Sequence, residues 1–159
     1  MTCLGIEQAH AIQDMWKTEL SYGLPPPQKI YCSPLTRALH TCDIMLDGVF
    51  QSGHVPVTVI EASHKFISTT IIRNYSIYQN CREGNGVYSC DKRQSRTYIA
   101  NSYPHFIIED GFTELDELWS PTVRESEKQV AERARKILDV VFQNDIETLC
   151  KMISVYFIF

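Results

Sequence analysis

Short apolar segments alternate with longer helical patterns along this 159-residue chain, and that order restricts its fold more than any other feature. Lys29–Cys32 is typical of a strand, and a helical pattern that starts near Ser33 and Pro34 follows it directly. Consecutive parallel strands need helical crossovers between them. The alternation therefore predicts an α/β protein with a mostly parallel sheet. The length fits one domain, residues 1–159.

The spacing of apolar residues predicts the other elements. Helices are predicted over residues 2–20, 33–49 and 122–143, with a short polar helix over 91–100. Strands are predicted over residues 55–60, 106–108 and 152–159. Thr2 and Ser33 are expected to be N-caps of the first two helices. In the last helix, Thr122 and Glu125 have capping-box spacing, and Val130 and Ala134 lie on the face expected to be buried.

Residues 62–79 differ from the sequence on either side of them. The segment has no acidic residue, four isoleucines and two tyrosines, and its apolar residues follow neither a helical nor a strand period. One interpretation is an unusual insert that forms a surface loop or an extra hairpin. The other is that this segment, and the tail after Ser154, are noncoding sequence translated in frame. The sequence leaves both open.

Charge and residue usage exclude several classes of function. The formal net charge of −4 argues against a protein that binds nucleic acid through a basic surface. No apolar run approaches the roughly 20 residues that cross a bilayer, so no membrane association is predicted. The six cysteines lack zinc-ligand spacing and are expected to be reduced thiols, with no metal.

Residues 31–41, YCSPLTRALHT, place the end of a strand, a turn and an arginine at the start of the next helix. Backbone N–H groups at a helix N-terminus point toward a bound anion, and an arginine there adds a charged bidentate contact. The segment therefore indicates a phosphate site with Arg37 as ligand. The alternative is that Arg37 pairs with a surface carboxylate.

Taken together, four segments resemble the histidine phosphatase superfamily, with its phosphoglycerate mutase-like fold, and specifically a fungal phosphomutase-like branch. They are residues 2–9 (TCLGIEQA), 33–41 (SPLTRALHT), 82–96 (REGNGVYSCDKRQSR) and 109–119 (EDGFTELDELW). The resemblance covers most of residues 2–145 apart from 62–79. It implies a three-layer α/β sandwich with a mostly parallel sheet, incomplete in this chain.

The resemblance also implies phosphoryl transfer through a phosphohistidine, on small phosphorylated metabolites and without a metal or other cofactor. Arg37 matches the phosphate-binding arginine and Glu83 the proton donor, whose pKa would need to be raised. Arg82 is adjacent and is a further predicted phosphate contact. Without the resemblance, Glu83 would be interpreted as a solvated loop carboxylate. The expected location is the cytoplasm or also the nucleus, while oligomeric state and the choice between phosphatase and mutase stay open.

Two histidine motifs of the family, R-H-G and S-H-x-G, do not occur in the sequence, and none of its five histidines matches either one. The chain is therefore expected to be truncated at both ends, inactive by itself and only marginally stable, because its sheet would lack a central strand. Two further interpretations remain. One is a noncatalytic phosphate-binding or interaction domain, and the other is a truncated product without function.

Overall fold

A computed structural model describes residues 1–27, 29–49, 57–60, 74–78, 82, 84–109, 111–144 and 150–153. Helices and strands alternate along these ranges. The helices are α1 (Cys3–Ser21), α2 (Thr36–Leu46), α3 (Arg96–Ser102) and α4 (Glu127–Asn144). The strands are β1 (Lys29–Cys32), β2 (Val57–Ile60), β3 (Asn74–Tyr78), β4 (Phe106–Ile108) and β5 (Cys150–Ile153). The predicted α/β arrangement is confirmed.

The described strands form one sheet in the order β4-β2-β3-β1-β5, and each of the pairings between them is parallel. Strand β1 lies beside β3, with Ile30 opposite Tyr75, and beside β5, with Ile30 opposite Lys151. Strand β4 pairs with β2 through Val57 and Phe106. All five strands therefore direct their carboxyl ends toward one edge of the sheet.

The unusual segment 62–79 contributes a strand to this sheet. Its residues Asn74–Tyr78 form β3, which pairs in parallel with β1 on one side and with β2 on the other. Parallel pairing needs a long connection, so for these five residues the expectation of a loop or hairpin is wrong. The remaining residues of the segment, 62–73 and 79, lie outside the described residues, as do 55–56 and 154–159 of two predicted strands.

The core lies between α1, α2 and β1, with a second contribution from the chain around α3 and β4. The buried apolar side chains there include those of Ala9, Ile30, Cys32, Ala38, Leu39, Cys42, Ile99, Tyr103 and Phe106. Gln13 is the polar member of the buried face of α1. Its Nε2 donates to the carbonyl oxygens of Ile44 and Asp47, where α2 ends. The last carbonyls of a helix need hydrogen-bond donors outside it, so these bonds fix α1 against the end of α2.

The start of α1 agrees with the prediction, whereas the starts of α2 and α3 differ from it. Thr2 caps α1 as predicted, since its Oγ1 accepts from the N–H of Gly5 at 3.1 Å. Ser33 does not cap α2, because the helix begins only at Thr36 and Leu35, whose backbone is extended, occupies the N-cap position. The prediction of a single helix over 91–100 is also wrong. That stretch contains the end of a 3₁₀ turn, Ser89–Asp91, and the start of α3, which Ser95 caps through the N–H of Tyr98.

Helix α4 begins later than predicted, at a different capping box. The side chain of Gln129 accepts from the N–H of Ser126 at 2.9 Å, and Ser126 Oγ accepts from the N–H of Gln129 at 3.4 Å. The predicted pair of Thr122 and Glu125 is wrong because the Glu125 carboxylate binds Arg133 instead. The same contact turns Arg133 into the protein, while the neighbouring Ala134, predicted to be buried, is exposed.

Candidate functional site

Arg37 lies where the sequence places it, at the second residue of α2, just past the carboxyl end of β1. Its Nη1 donates to the carbonyl oxygen of Cys90 at 2.6 Å, and its Nη2 lies 3.8 Å from Asp91 Oδ1. A quarter of the side chain, 25%, remains exposed. The carboxylate contact that the sequence left as an alternative is thus present. The hydrogen bond to the Cys90 carbonyl also holds the Arg37 guanidinium beside the N-terminal end of α2.

The segment that receives Arg37 is itself held by close contacts. A Cβ placed on Gly86 would collide with the carboxylate of Asp91, so a larger residue there would require that side chain to shift. Trp119 Nε1 donates to the carbonyl of Tyr88 at 3.1 Å, and the ammonium of Lys92 lies 5.0 Å from the centre of the Trp119 ring. Arg37 therefore contacts an ordered turn.

Glu83, the predicted proton donor, lies outside the described residues, so its assignment stays a prediction. Arg82, which precedes it, is described and is inside the protein. Its Nη1 and Nη2 donate to the two carboxylate oxygens of Asp116 at 2.7 and 3.0 Å. Neither side chain has any exposed surface. The predicted phosphate contact of Arg82 also stays a prediction, with both terminal nitrogens on Asp116 in this structure.

Asp116 gathers several donors around one buried carboxylate. Besides Arg82, it accepts from the backbone N–H of Arg93 at 2.8 Å and of Leu118 at 3.2 Å. Burial by itself would raise the pKa of Asp116, but the Arg82 guanidinium and the Arg93 N–H favour the charged form, and the net effect holds the pKa below its ordinary value. Burial also lowers the pKa of Arg82, which Asp116 opposes. The bidentate contact therefore favours the charged form of both side chains.

A second buried ion pair lies next to the first. Arg133 Nε and Nη2 donate to Glu125 Oε1 and Oε2 at 2.8 and 2.7 Å, and Arg133 Nη1 donates to the backbone carbonyl of Arg82 at 3.0 Å. Burial by itself would raise the pKa of Glu125, but the Arg133 guanidinium favours the charged carboxylate, and the net effect is a lowered pKa. Glu125 Oε2 also accepts from the N–H of Asn85 at 2.9 Å, and the N–H of Glu125 donates to the Asn85 carbonyl at 2.9 Å. The two ion pairs thus meet at residues 82 and 85.

Arg93 supports the chain that carries Asp116. Its guanidinium donates to the carbonyls of Thr113 and Leu115, each at 2.8 Å, and its Cζ lies 4.2 Å from the centre of the Phe112 ring. Sequence reasoning did not assign Asp116, Glu125 or Arg133 to the site. Asp116 lies 34 residues from Arg82, and Arg133 lies 51 residues from it, so no local spacing connects these partners. The one signal in the sequence was that Asp116 belongs to the segment 109–119, which resembles the family.

The described histidines occupy other places. His105 Nε2 lies 2.8 Å from Asp43 Oδ1 on the exposed surface, and His10 Nδ1 lies 3.5 Å from Gln13 Oε1 on α1. His54 and His64 lie outside the described residues. Among the residues that the structure describes, no three His, Cys, Asp or Glu side chains form a group that could hold a metal ion. No helix in the same part of the chain is both long and apolar enough to cross a membrane.

Three curated proteins are similar to this chain over most of its length. The chain is 36% identical over 148 residues to the "Probable phosphoglycerate mutase" of Arthroderma benhamiae, an alignment that covers 93% of this chain. It is 32% identical over 155 residues to "Phosphomutase-like protein 3" of Candida albicans, covering 98% of this chain. "Phosphoglycerate mutase-like protein 1" of Arabidopsis thaliana is 30% identical over 146 residues. The chain is a homologue of phosphoglycerate mutase-like proteins.

The chain spans only part of these homologues: 39% of the Arthroderma protein, 41% of the Candida protein and 51% of the Arabidopsis protein. No family model matches the sequence. No solved structure matches it significantly either. The phosphoglycerate mutase-like homology therefore rests on the curated relatives and on the segments that resemble the family.

Proposed function

We propose that this chain carries the phosphate-holding part of a phosphoglycerate mutase-like site, and that its ligands are small phosphorylated metabolites. The observation that carries the proposal is the place of Arg37. It stands in the first turn of α2, after a parallel strand, with a quarter of its side chain exposed and its Nη1 held on the Cys90 carbonyl. Anions bind at such helix N-termini, and a guanidinium held there adds a permanent charge.

In this proposal Glu83 donates a proton to the leaving oxygen, and Arg82 is a second phosphate contact only if its pair with Asp116 opens. The phosphoryl group would be carried by a histidine, as in the family that the chain resembles. Neither R-H-G nor S-H-x-G occurs in these 159 residues. The chain alone is therefore proposed to bind phosphate without turning over a phosphoester. Its complete architecture is proposed to be a three-layer sandwich.

The absence of both motifs also favours the second candidate, a noncatalytic phosphate-binding or interaction domain in which Arg37 still holds an anion. A truncated product without function would bind no anion specifically. In every case we propose a protein of the cytoplasm or nucleus that needs no metal and contacts neither nucleic acid nor membrane. Oligomeric state is left open.

Titration with inorganic orthophosphate, followed by calorimetry or ³¹P NMR, tests the shared premise. Replacement of Arg37 by alanine should weaken binding by at least about tenfold, since a charge-assisted hydrogen bond is lost. Arg135→Ala removes an exposed arginine of α4 and should leave the affinity unchanged. Equal phosphate affinity in the wild type and the Arg37→Ala variant would contradict the proposal.

An assay with p-nitrophenyl phosphate then separates the two candidates. Phosphate binding with no turnover supports the noncatalytic domain. Turnover that disappears in the Arg37→Ala variant would instead show that a nucleophile outside the two motifs operates in this chain. Circular dichroism of each variant confirms that the helices are retained, so that a lost affinity is assigned to the missing guanidinium.

A further inference from the structure

The Asp91 carboxylate faces the same guanidinium that is proposed to bind phosphate. Arg37 Nη2 lies 3.8 Å from Asp91 Oδ1, and the two side chains are 25% and 17% exposed. That separation exceeds the roughly 2.7–3.2 Å of an N–H···O hydrogen bond. Arg37 Nη1, by contrast, donates to the Cys90 carbonyl at 2.6 Å. The carbonyl therefore holds the guanidinium in place, while Asp91 supplies a negative charge that no hydrogen bond ties to Nη2.

The backbone of this turn is held more firmly than the Asp91 carboxylate. The N–H of Asp91 donates to the carbonyl of Tyr88 at 3.0 Å, and the N–H of Lys92 donates to the carbonyl of Ser89 at 3.2 Å. The carboxylate itself accepts from Cys90 Sγ at 3.8 Å, and a thiol is a weak donor. Within the described ranges, a rotation of the Asp91 side chain therefore breaks no strong hydrogen bond.

A second guanidinium lies beside the same carboxylate. Asp91 Oδ2 lies against Gly86, and Arg124 Nη2 is 3.9 Å from the place that a Cβ on this glycine would take. Arg124 Cζ lies 6.0 Å from the centre of the Tyr88 ring. A carboxylate that turns away from Arg37 thus has another positive charge close by, which lowers the electrostatic cost of the movement.

We propose that Asp91 is an internal competitor for Arg37, which a phosphate group displaces toward Arg124 when it binds. This inference rests on the proposed function of Arg37 as the phosphate ligand. A tethered carboxylate has a high effective concentration, so it raises the Kd of every anion that needs Arg37. A phosphorylated metabolite that contacts the protein elsewhere recovers the lost affinity, whereas a bare inorganic anion does not. Asp91 thus favours metabolites over free inorganic anions at this site.

The decisive variant is Asp91→Asn in the full chain, titrated with inorganic orthophosphate by calorimetry. Binding should be at least about threefold tighter than in the wild type, because the competing charge is gone. Asp91→Ala should give a similar gain, and it keeps the test available if the asparagine variant does not fold. The matched control is Asp139→Asn, the same change on an exposed residue of α4, which should leave the affinity unchanged. Equal affinities in the Asp91 variants and the control would overturn the inference.

A double-mutant cycle tests where the displaced carboxylate goes. In the wild type, Arg124→Gln should weaken orthophosphate binding, since the displaced Asp91 loses its second positive partner. In the Asp91→Asn background the same change should have a clearly smaller effect, because no carboxylate is displaced. Equal losses in both backgrounds would show that Arg124 acts on the anion itself, and would overturn the displacement toward Arg124.

The Arg37→Ala variant shows which of the two proposals has failed. If it binds orthophosphate as tightly as the wild type, the proposed phosphate site is wrong, and the competition at Arg37 falls with it. If Arg37→Ala weakens binding but the Asp91 variants gain no affinity over the control, the phosphate site stands and only the competitor is wrong. Weaker binding in Arg37→Ala together with tighter binding in both Asp91 variants is the result expected.

Discussion

Replacement of Asp116 by asparagine should destabilise the protein far more than any surface charge change of the same kind. The substitution keeps the size of the side chain but removes the charge that neutralises Arg82. Both side chains of this pair have no exposed surface, so water cannot take the place of the missing carboxylate. Loss of one partner from a buried ion pair costs about 3–5 kcal/mol.

For a chain of this length, each kcal/mol shifts the melting temperature by about 2–4 °C, so Asp116→Asn should lower it by about 6–20 °C. The matched control is Glu132→Gln. The Glu132 carboxylate lies 4.0 Å from the ammonium of Lys128, and the Lys128 side chain is 86% exposed. Exposed pairs of this spacing contribute about 0.3–0.5 kcal/mol, which corresponds to a shift of less than about 2 °C. The assay is thermal unfolding followed by circular dichroism at 222 nm.

A double-mutant cycle guards against a variant that does not fold. In the Arg82→Met background the guanidinium is absent, so the additional Asp116→Asn change leaves no buried charge without a partner. The loss of unfolding free energy caused by Asp116→Asn should then be much smaller than in the wild-type background. Equal shifts for Asp116→Asn and Glu132→Gln, or equal costs of Asp116→Asn in both backgrounds, would refute the assignment of this pair as a buried, mutually dependent contact.

The pKa values of Asp116 and Glu125 in the folded protein lie below their ordinary values of 3.8 and 4.5, so both carboxylates stabilise the fold at neutral pH. That stability is lost as the pH falls below about 4.5 and through the lower folded pKa values. The melting temperature should therefore decline from pH 7 to pH 3, and it should decline less steeply in Asp116→Asn. Burial raises the pKa of Tyr103 to about 12, so the difference in absorbance at 295 nm between the wild type and Tyr103→Phe should have its midpoint there, and a midpoint near 10 would contradict the burial. Gly86→Ala should destabilise the protein by about 1–3 kcal/mol in chemical denaturation, because the added Cβ meets the Asp91 carboxylate, and an unchanged midpoint would contradict that close approach.

The parts of the fold that depend on local sequence were predictable. Thr2 followed by an apolar stripe gave the start and the buried face of α1, and Lys29–Cys32 was identified with its exact bounds. The order of strand, turn and helix placed Arg37 in the first turn of α2. Each of these features is set by residues no more than a few positions apart, which is the range that periodicity and capping rules describe.

The parts that depend on distant partners were not predictable. Glu125 has the spacing of a capping box with Thr122, but a buried bidentate bond to Arg133 takes its carboxylate, and Ser126 caps α4 instead. Arg133 interrupts an apolar stripe and would be expected in solvent, yet its pair with Glu125 makes burial possible. The local sequence around Arg82 does not predict that its partner is Asp116, which lies 34 residues away. The position of Arg37 is thus set by local sequence, whereas the Arg82–Asp116 and Arg133–Glu125 pairs depend on residues distant in the chain.

The central claim is that Arg37 is the anion ligand of this chain while Arg82 stays paired with Asp116. The most direct test is an NMR titration of the arginine-¹⁵N-labelled protein with orthophosphate, following the Nε–Hε signals assigned through Arg37→Lys and Arg82→Lys. The account predicts a saturable shift of the Arg37 signal while the Arg82 signal, whose guanidinium stays on Asp116, does not move. A titration in which Arg37 stays unchanged, or in which Arg82 responds in its place, would contradict it.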